Sequence, residues 1–326
     1  MRSSFSLFLF LSIFFLSCSS TPETIDPYQT EELSAGDVWV DDFTPPSEVD
    51  RGYEGHGPFE HRLLTATSED GVTWEKTNIL LVEQGNTPDM AIKDDVIYLY
   101  YTGGNFDGKE QGIAVALSKD GGESWTFKRL TIEGYTSSTT PGDPDIILLE
   151  DGTFRLYFTA QIEGEEGPGI FYAEGTDGLN FTYKGKAFSA DGYTVIDSSA
   201  FIVNGEWMML TFNGFDVGVI HGSSSDGGRT FEFIKSEDII YKHQPYFMAN
   251  PLTLEDGSVR FYAFQFTNFR SFISEDGLSW EDEGHTLLEY EEGANELEGF
   301  YIKDPAVVQL EDGTYLMVYV TRAPLE

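Results

Sequence analysis

Short apolar and aromatic runs, separated by polar turns, recur along this chain at a nearly constant spacing. The first run of each unit begins at Pro88, Pro144, Ser198, Pro251 and Pro305, which gives intervals of 56, 54, 53 and 54 residues. Four of these runs end in an Asp-Gly or Asn-Gly turn, and an aromatic, β-branched run follows each turn. Such turns between apolar runs indicate β-hairpins, and no stretch after residue 20 keeps a helical period. The pattern therefore predicts an all-β protein built from repeated hairpin units.

A second element, Asp-Gly followed by an aromatic residue, closes each unit. Its copies contain Asp70-Gly71, Asp120-Gly121, Asp177-Gly178, Asp226-Gly227 and Asp276-Gly277. We expect each Asp to accept hydrogen bonds from its own turn, each Gly to take a positive φ, and each aromatic ring to pack back between the sheets. A structural calcium ion is conceivable but not indicated, because each copy offers one carboxylate rather than a set of ligands.

The two ends of the chain each hold half a unit. Residues 306–309 and 315–320 supply the first two strands of a fifth unit, and residues 61–67 and 72–76 supply its last two. Joining the halves hides the sheet edges that an open array would expose. We therefore predict a single five-bladed β-propeller over residues 47–326, with the fifth blade closed by N- and C-terminal strands.

The charge balance narrows the classes of partner. The chain has 19 basic and 56 acidic residues, for a net charge of −37. A protein that binds nucleic acid needs a basic surface, so that class of partner is excluded, as is docking of the folded surface on anionic lipid. We expect a monomer that needs no cofactor, and no histidine spacing predicts a metal site.

The first residues have the pattern of a secretion signal. Arg2 precedes an apolar run over residues 5–16, and Cys18 is the only cysteine of the chain. This segment resembles a bacterial lipoprotein signal, with Phe15-Leu16-Ser17-Cys18 as a loose lipobox. The resemblance predicts a signal peptide over residues 1–17, a lipid on Cys18, a tether over residues 18–46, and a protein held in the bacterial cell envelope, at the outer membrane or in the periplasm, by that anchor alone.

The chemistry is expected where the first strands enter the central channel. Five carboxylates stand there, at Asp89, Asp143, Asp145, Asp197 and Asp304. Aromatic faces beside carboxylates suit a carbohydrate, and crowded like charges raise the pKa of some members, as a general acid requires. The candidate substrate-binding residues are His56, Arg62, Tyr193, His243, Tyr246, Asn250, Arg270 and Tyr301.

The repeats resemble the Asp-boxes of sialidases, and the whole ring resembles the five-bladed glycoside hydrolases of the family 43 type. That resemblance implies an Asp base on the first blade, an Asp two blades on that tunes the acid, and a Glu acid on the next blade. Asp197, within residues 196–201, matches the tuning Asp. The first-blade position is Thr87, with Asp89 two residues on, and the acid position is Asn250. Glu298 would replace the acid if its loop bends inward.

Three functions remain open on the sequence. The first is a glycosidase, an O-glycosyl hydrolase that uses channel carboxylates as acid and base. The second is a non-catalytic propeller that binds glycan or serves in assembly. The third is an exo-sialidase-like hydrolase, for which Arg62, Arg270 and Arg322 would surround the substrate carboxylate.

Overall fold

The computed structural model describes residues 39–52, 57–137, 139–161, 167–214, 216–237, 239–241 and 244–325. This part of the chain is nearly all β, with one short 3-10 helix at Pro58–Glu60 just before the first strand. The strands in chain order are β1 (His61–Ser68), β2 (Trp74–Glu83), β3 (Gly85–Lys93), β4 (Val96–Phe106), β5 (Lys109–Ser118), β6 (Thr126–Lys128), β7 (Thr131–Glu133), β8 (Gly142–Leu148), β9 (Phe154–Ala160), β10 (Gly169–Gly175), β11 (Asn180–Phe188), β12 (Val195–Val203), β13 (Glu206–Asn213), β14 (Asp216–Ser224), β15 (Glu232–Glu237), β16 (Ile239–Tyr241), β17 (Gln244–Thr253), β18 (Val259–Gln265), β19 (Asn268–Ser274), β20 (Glu281–Glu289), β21 (Gly299–Gln309) and β22 (Tyr315–Arg322).

These strands form five antiparallel blades, as the repeats predict. Blade 1 is β3–β6, blade 2 is β8–β11, blade 3 is β12–β15, and blade 4 is β17–β20, with β7 added to blade 2 and β16 to blade 4. Blade 5 has the order β21-β22-β1-β2, so both ends of the chain build it. Its two halves pair without interruption from His61 with Arg322 to Ser68 with Tyr315. The predicted closure of the ring is therefore confirmed.

The core lies between neighbouring blades rather than within any one sheet. Blade 5 packs on blade 1 through a cluster that includes Leu99 and Val318, and similar clusters fill the other four junctions. Second-strand tyrosines add a polar link: the hydroxyls of Tyr100, Tyr157 and Tyr262 donate to backbone carbonyls in the Asp-Gly turn of the next blade. The aromatic second strands thus serve the seams between blades, where a buried hydroxyl needs a partner.

The Asp-Gly turns have the predicted contacts. Asp70 Oδ1 accepts from the backbone N–H groups of Val72 and Thr73 at 2.8 and 2.6 Å, and Gly71 has a φ of 73°. The indole of Trp74 donates to the Gly71 carbonyl at 3.1 Å. Each of these carboxylates accepts hydrogen bonds from its own turn, and this local role is enough to explain why the Asp-Gly pattern recurs. Within the described ranges, no group of three or more His, Cys, Asp or Glu side chains is arranged to hold a metal.

The end of the predicted tether packs against blade 1. The Asp42 N–H donates to the Phe127 carbonyl at 2.8 Å, and Asp42 also pairs with Lys128. Phe43 is buried beside Phe106 and Phe127. Asp42 and Phe43, within the predicted tether, therefore pack on the propeller. The predicted signal peptide and Cys18 lie outside the described residues, within which no helix is long and apolar enough to cross a membrane.

Candidate functional site at the channel mouth

Four first strands enter the channel through the same irregular step. The ladder with the second strand skips two residues between Asn86 and Asp89, and it does so again at the matching points of blades 2, 3 and 5. The first skipped residue has a positive φ in every case, 42° at Thr87, 50° at Asp143, 49° at Asp197 and 45° at Asp304. Bulges re-aim side chains, and left-handed non-glycine residues cost about 1–3 kcal/mol each. Repeated strain at one level of a ring indicates a functional site.

Blade 4 lacks this step, which leaves the ring asymmetric. Its shift, between Met248 and Asn250, skips only Ala249. Blade 4 therefore presents no carboxylate at this level, and Thr87 on blade 1 presents a hydroxyl. We call Asp143, Asp197, Lys303 and Asp304 the mouth cluster, and its three carboxylates come from blades 2, 3 and 5.

Preceding blades hold the acidic residues of the mouth cluster in place. The Asp143 N–H donates to Thr102 Oγ1 at 2.9 Å, and the Asp197 N–H donates to Thr159 Oγ1 at 3.0 Å. Thr87 Oγ1 reaches Asp143 Oδ1 at 3.3 Å, and the Lys303 ammonium pairs with Asp304. Asp197 Oδ1 is buried and has no hydrogen-bond partner. Among the described residues of the mouth cluster, Asp197 Oδ1 is therefore a fully buried carboxyl oxygen whose hydrogen-bonding capacity is unused.

Burial and crowding separate the protonation states of these groups. Burial, followed by the negative charges of Asp143 and Asp304, raises the pKa of Asp197 well above its usual range. Burial also raises the pKa of Asp143, opposed by hydrogen bonds from Asp197 and Thr159 that favour its charged form. Asp143 and Asp197 thus titrate as one hydrogen-bonded pair in which the pKa of each carboxyl group is raised.

Lys303 keeps its charge at this site. Burial alone would lower the pKa of Lys303, but Asp304 and Asp197 attract the ammonium and leave that pKa raised. The mouth cluster therefore places a carboxyl group with a raised pKa near a second carboxyl group that is paired with a cation. This is the separation of roles between two acids that acid–base catalysis on a glycosidic bond requires.

A second ring of polar side chains lies two residues deeper and joins the blades. We call Asp89, Asp145, Ser199 and Asn250 the belt. Asp89 Oδ2 accepts from the Ile146 N–H at 2.6 Å, and Asp145 Oδ2 accepts from the Ala200 N–H at 2.9 Å. These two contacts tie blade 1 to blade 2 and blade 2 to blade 3.

The belt continues through blades 3, 4 and 5. Ser199 donates to the Ala249 carbonyl at 2.7 Å, and Asn250 Oδ1 accepts from the Val307 N–H at 2.9 Å. Asn250 Nδ2 crosses the channel to Asp89 Oδ1 at 2.9 Å. Burial raises the pKa of Asp89 to about 7, and burial with the charge of Asp89 raises the pKa of Asp145. The structure thus places two of the five candidate carboxylates, and Asn250, in contacts between blades.

The belt divides the channel into two cavities. The cavity on the mouth side is about 40 Å³ and is lined by the three mouth carboxylates together with Phe212, Met248 and belt residues. The cavity on the hairpin side is about 380 Å³ and is lined mainly by aliphatic side chains. The mouth cavity is far smaller than a sugar, so a glycan would lie above it with one bond directed at the carboxylates.

Glu298 is held away from the mouth cluster. Its Oε2 pairs with Lys76 at 2.7 Å, and its Oε1 accepts from the Tyr319 hydroxyl at 2.6 Å. Lys76 lies on β2, the outermost strand of blade 5. The loop before β21 therefore directs this glutamate to the outer strand, and Glu298 does not replace the acid position occupied by Asn250.

The candidate arginines are already paired within the protein. Arg62 contacts both carboxylate oxygens of Glu83, and Arg270 contacts both of Asp282. Arg322 pairs with Glu60 and lies over the Phe300 ring. Within the described part of the chain, each of these three cations is thus matched by a carboxylate of the protein.

The aromatic candidates separate into different environments. The hydroxyl of Tyr301 is hydrogen-bonded to His61 Nε2 at 2.7 Å, near the mouth. Tyr246 is buried, and its hydroxyl donates to Asn268 Oδ1. Tyr193 stacks on Phe233 of the outer strand β15, away from the channel. His56 and His243 lie outside the described residues.

Sequence reasoning missed Lys303 and the threonines that position the cluster. Thr102 and Thr159 follow the aromatic run of each second strand, and Lys303 precedes Asp304. Aligning the repeats would have exposed the recurring threonine and the single cation. Their roles depend on contacts between blades, which no single unit contains.

Comparison with known proteins gives the class of fold. Residues 60–204 match the glycosyl hydrolases family 32 N-terminal domain. A protein of unknown function from Dyadobacter fermentans has 17% identity and a TM-score of 0.54, over 83% of this chain and 87% of that one. The endo-arabinase of Bacteroides thetaiotaomicron has 16% identity and a TM-score of 0.52, over 74% of this chain and 94% of that one. A thermostable family-43 glycoside hydrolase has 14% identity and a TM-score of 0.53, over 74% of this chain and 90% of that one. No curated protein matches the chain.

This chain has the five-bladed propeller fold that glycoside hydrolases use. The solved structures share too little sequence for their activities to be transferred, so the chemistry rests on the mouth cluster.

Proposed function

We propose that this protein is a glycoside hydrolase that acts on a neutral glycan at the mouth cluster. The observation that carries the proposal is the partly buried Asp143–Asp197 pair beside the Lys303–Asp304 ion pair, at strained positions of three blades. A buried carboxyl oxygen without a hydrogen bond is rare in a structural core, so Asp197 Oδ1 supports a functional role for this pair.

Each group has a distinct role in the proposed reaction. Asp197 carries the proton and donates it to the oxygen of the scissile bond, which leaves as a hydroxyl group. Asp143 accepts a hydrogen bond from Asp197 and holds it in the protonated form until substrate arrives. Asp304, with Lys303 beside it, is the carboxylate that activates water or attacks the sugar carbon.

The substrate is expected to carry no negative charge. The net charge of −37 disfavours an anionic ligand, and the cation at the site is already paired with Asp304. The paired arginines remove the basis for binding a sialic acid carboxylate. The first neutral glycans to test are those named for proteins of similar fold, which are an endo-arabinase, a β-xylosidase/α-arabinofuranosidase and enzymes that act on β-1,2 mannosidic linkages.

Hydrolysis of arabino-, xylo- and β-1,2-manno-oligosaccharides by the purified propeller tests this proposal. Asp197→Asn keeps the shape of the side chain but donates no acidic proton, so we expect a loss of about 10²–10⁴-fold in kcat/KM. Asp312→Asn, in an exposed hairpin turn on the opposite face, is the matched control and should behave as wild type. Equal activity of Asp197→Asn and wild type would remove Asp197 from the mechanism.

A glycan-binding protein without catalysis is the second candidate. It is favoured by Thr87 at the expected base position and by Asn250, whose amide nitrogen and oxygen each make a hydrogen bond in the belt. Glycan binding by wild type, with no product released from any of these oligosaccharides, would support it over the hydrolase.

We also propose that the protein is anchored in the cell envelope through a lipid on Cys18, as the lipobox-like segment indicates. Cys18→Ala should move the protein from the detergent-extracted membrane fraction to the soluble fraction or leave an uncleaved precursor. A wild-type protein found only in the soluble fraction would contradict the anchor.

A further inference from the structure

An exposed phenylalanine stands at a turn position that phenylalanine does not favour. Phe266 occupies the two-residue loop between β18 and β19, with a φ of 27°. Hairpin loops of this length favour Gly, Asn or Asp where φ is positive, and the matching turn of blade 1 is Asp107-Gly108. The side chain of Phe266 is 44% exposed. Turn geometry does not explain the residue, and burial accounts for only part of its ring.

The ring of Phe266 is fixed in place by its neighbours. Its centroid lies 5.7 Å from that of Phe247, 5.6 Å from Phe264 and 5.6 Å from Tyr301. Its carbonyl accepts from the Ile302 N–H at 2.8 Å, which ties the loop of blade 4 to blade 5. A ring held on one side and open on the other is suited to stacking with little loss of entropy on binding.

The ring also connects to the channel mouth. Phe212 lines the mouth cavity, Phe247 lies 5.3 Å from Phe212, and Phe266 follows as the outermost ring of this row. Tyr301 continues along β21 to Lys303, two residues on. A glycan with one bond at the mouth cluster would therefore extend over Phe266 if it leaves between blades 4 and 5.

We propose that Phe266 is a sugar-stacking subsite beside the mouth, which binds a pyranose or furanose unit of an oligosaccharide through its apolar face. The proposal rests on the proposed function for the direction of the glycan, and it deepens that function by assigning a chain of at least two sugars as the substrate class. The strained backbone of Phe266, with its positive φ, is then explained by the outward direction that it gives to the ring.

Titration calorimetry with arabino-, xylo- and β-1,2-manno-oligosaccharides of two to four units tests the subsite, in the Asp197→Asn background so that turnover does not consume the ligand. For at least one series, affinity should rise with the added unit that reaches the ring. We expect this gain in affinity to be about tenfold. Phe266→Ala should remove the gain, and Phe266→Tyr should retain it. Phe233→Ala is the matched control, because Phe233 is also 44% exposed but lies on the outer strand β15.

The outcomes separate this proposal from the proposed function. Loss of the gain in Phe266→Ala alone supports the subsite, even if wild type hydrolyses none of the sugars and the hydrolase proposal fails. An equal loss in Phe233→Ala, an unchanged gain in Phe266→Ala, or no binding of any of these oligosaccharides would overturn the subsite. Thermal unfolding of each variant excludes a general loss of structure as the cause.

Discussion

Removing the carboxylate of Asp89 tests whether the belt holds the ring together. Asp89→Ala leaves two buried donors without an acceptor, the Ile146 N–H at 2.6 Å and Asn250 Nδ2 at 2.9 Å. Each buried donor that loses its partner costs about 1–3 kcal/mol, which gives about 2–6 kcal/mol together. Water entering from the 380 Å³ cavity would satisfy part of this need. We therefore expect the free energy of unfolding to fall by about 2–4 kcal/mol.

Urea unfolding followed by tryptophan fluorescence measures this change, with an unaltered m-value as the sign that the denatured state is the same. Asp89→Asn should lose about half as much, because its one carbonyl oxygen can serve one donor. Asp197→Asn is the control from the mouth cluster and should stay within about 1 kcal/mol of wild type. If Asp89→Ala unfolds like wild type while Asp197→Asn is strongly destabilised, the division between belt and mouth cluster is wrong.

Three further outcomes are expected. Because Asp197 must be protonated to act as the acid, the decline of kcat/KM on the high-pH side should begin only where pH reaches the raised pKa of Asp197. A high-pH decline that already begins near pH 4 would contradict this assignment. Burial lowers the pKa of His221 to about 4, whereas a histidine of the unfolded chain has a pKa of about 6.5. The free energy of unfolding of the wild type should therefore fall by up to about 3 kcal/mol between pH 6.5 and 4, and that of His221→Leu should not show this fall. Parallel pH profiles of the two proteins in urea unfolding would refute the prediction. Phe43→Ala should lower the unfolding free energy by about 3–5 kcal/mol, measured by the same urea unfolding, because a buried aromatic ring is lost.

The sequence by itself determined the ring. The spacing of apolar runs, the Asp-Gly turns and the half units at both ends predicted five blades and their closure, because each of these signals is local. It also directed attention to the strand entries, where the carboxylates stand. Hydrophobic period and turn chemistry are properties of a few neighbouring residues, so they can be read without knowing what packs against them.

Tertiary structure decided which carboxylates share an environment. Asp143 and Asp145 are two residues apart in the sequence, yet the bulge directs the first to the mouth cluster and the second to the Ala200 N–H of the next blade. The partners of Glu298 likewise come from distant strands, which is why its outward direction could not be predicted. These assignments depend on hydrogen bonds between blades and on backbone strain that neighbouring blades must hold, and neither is encoded within one repeat.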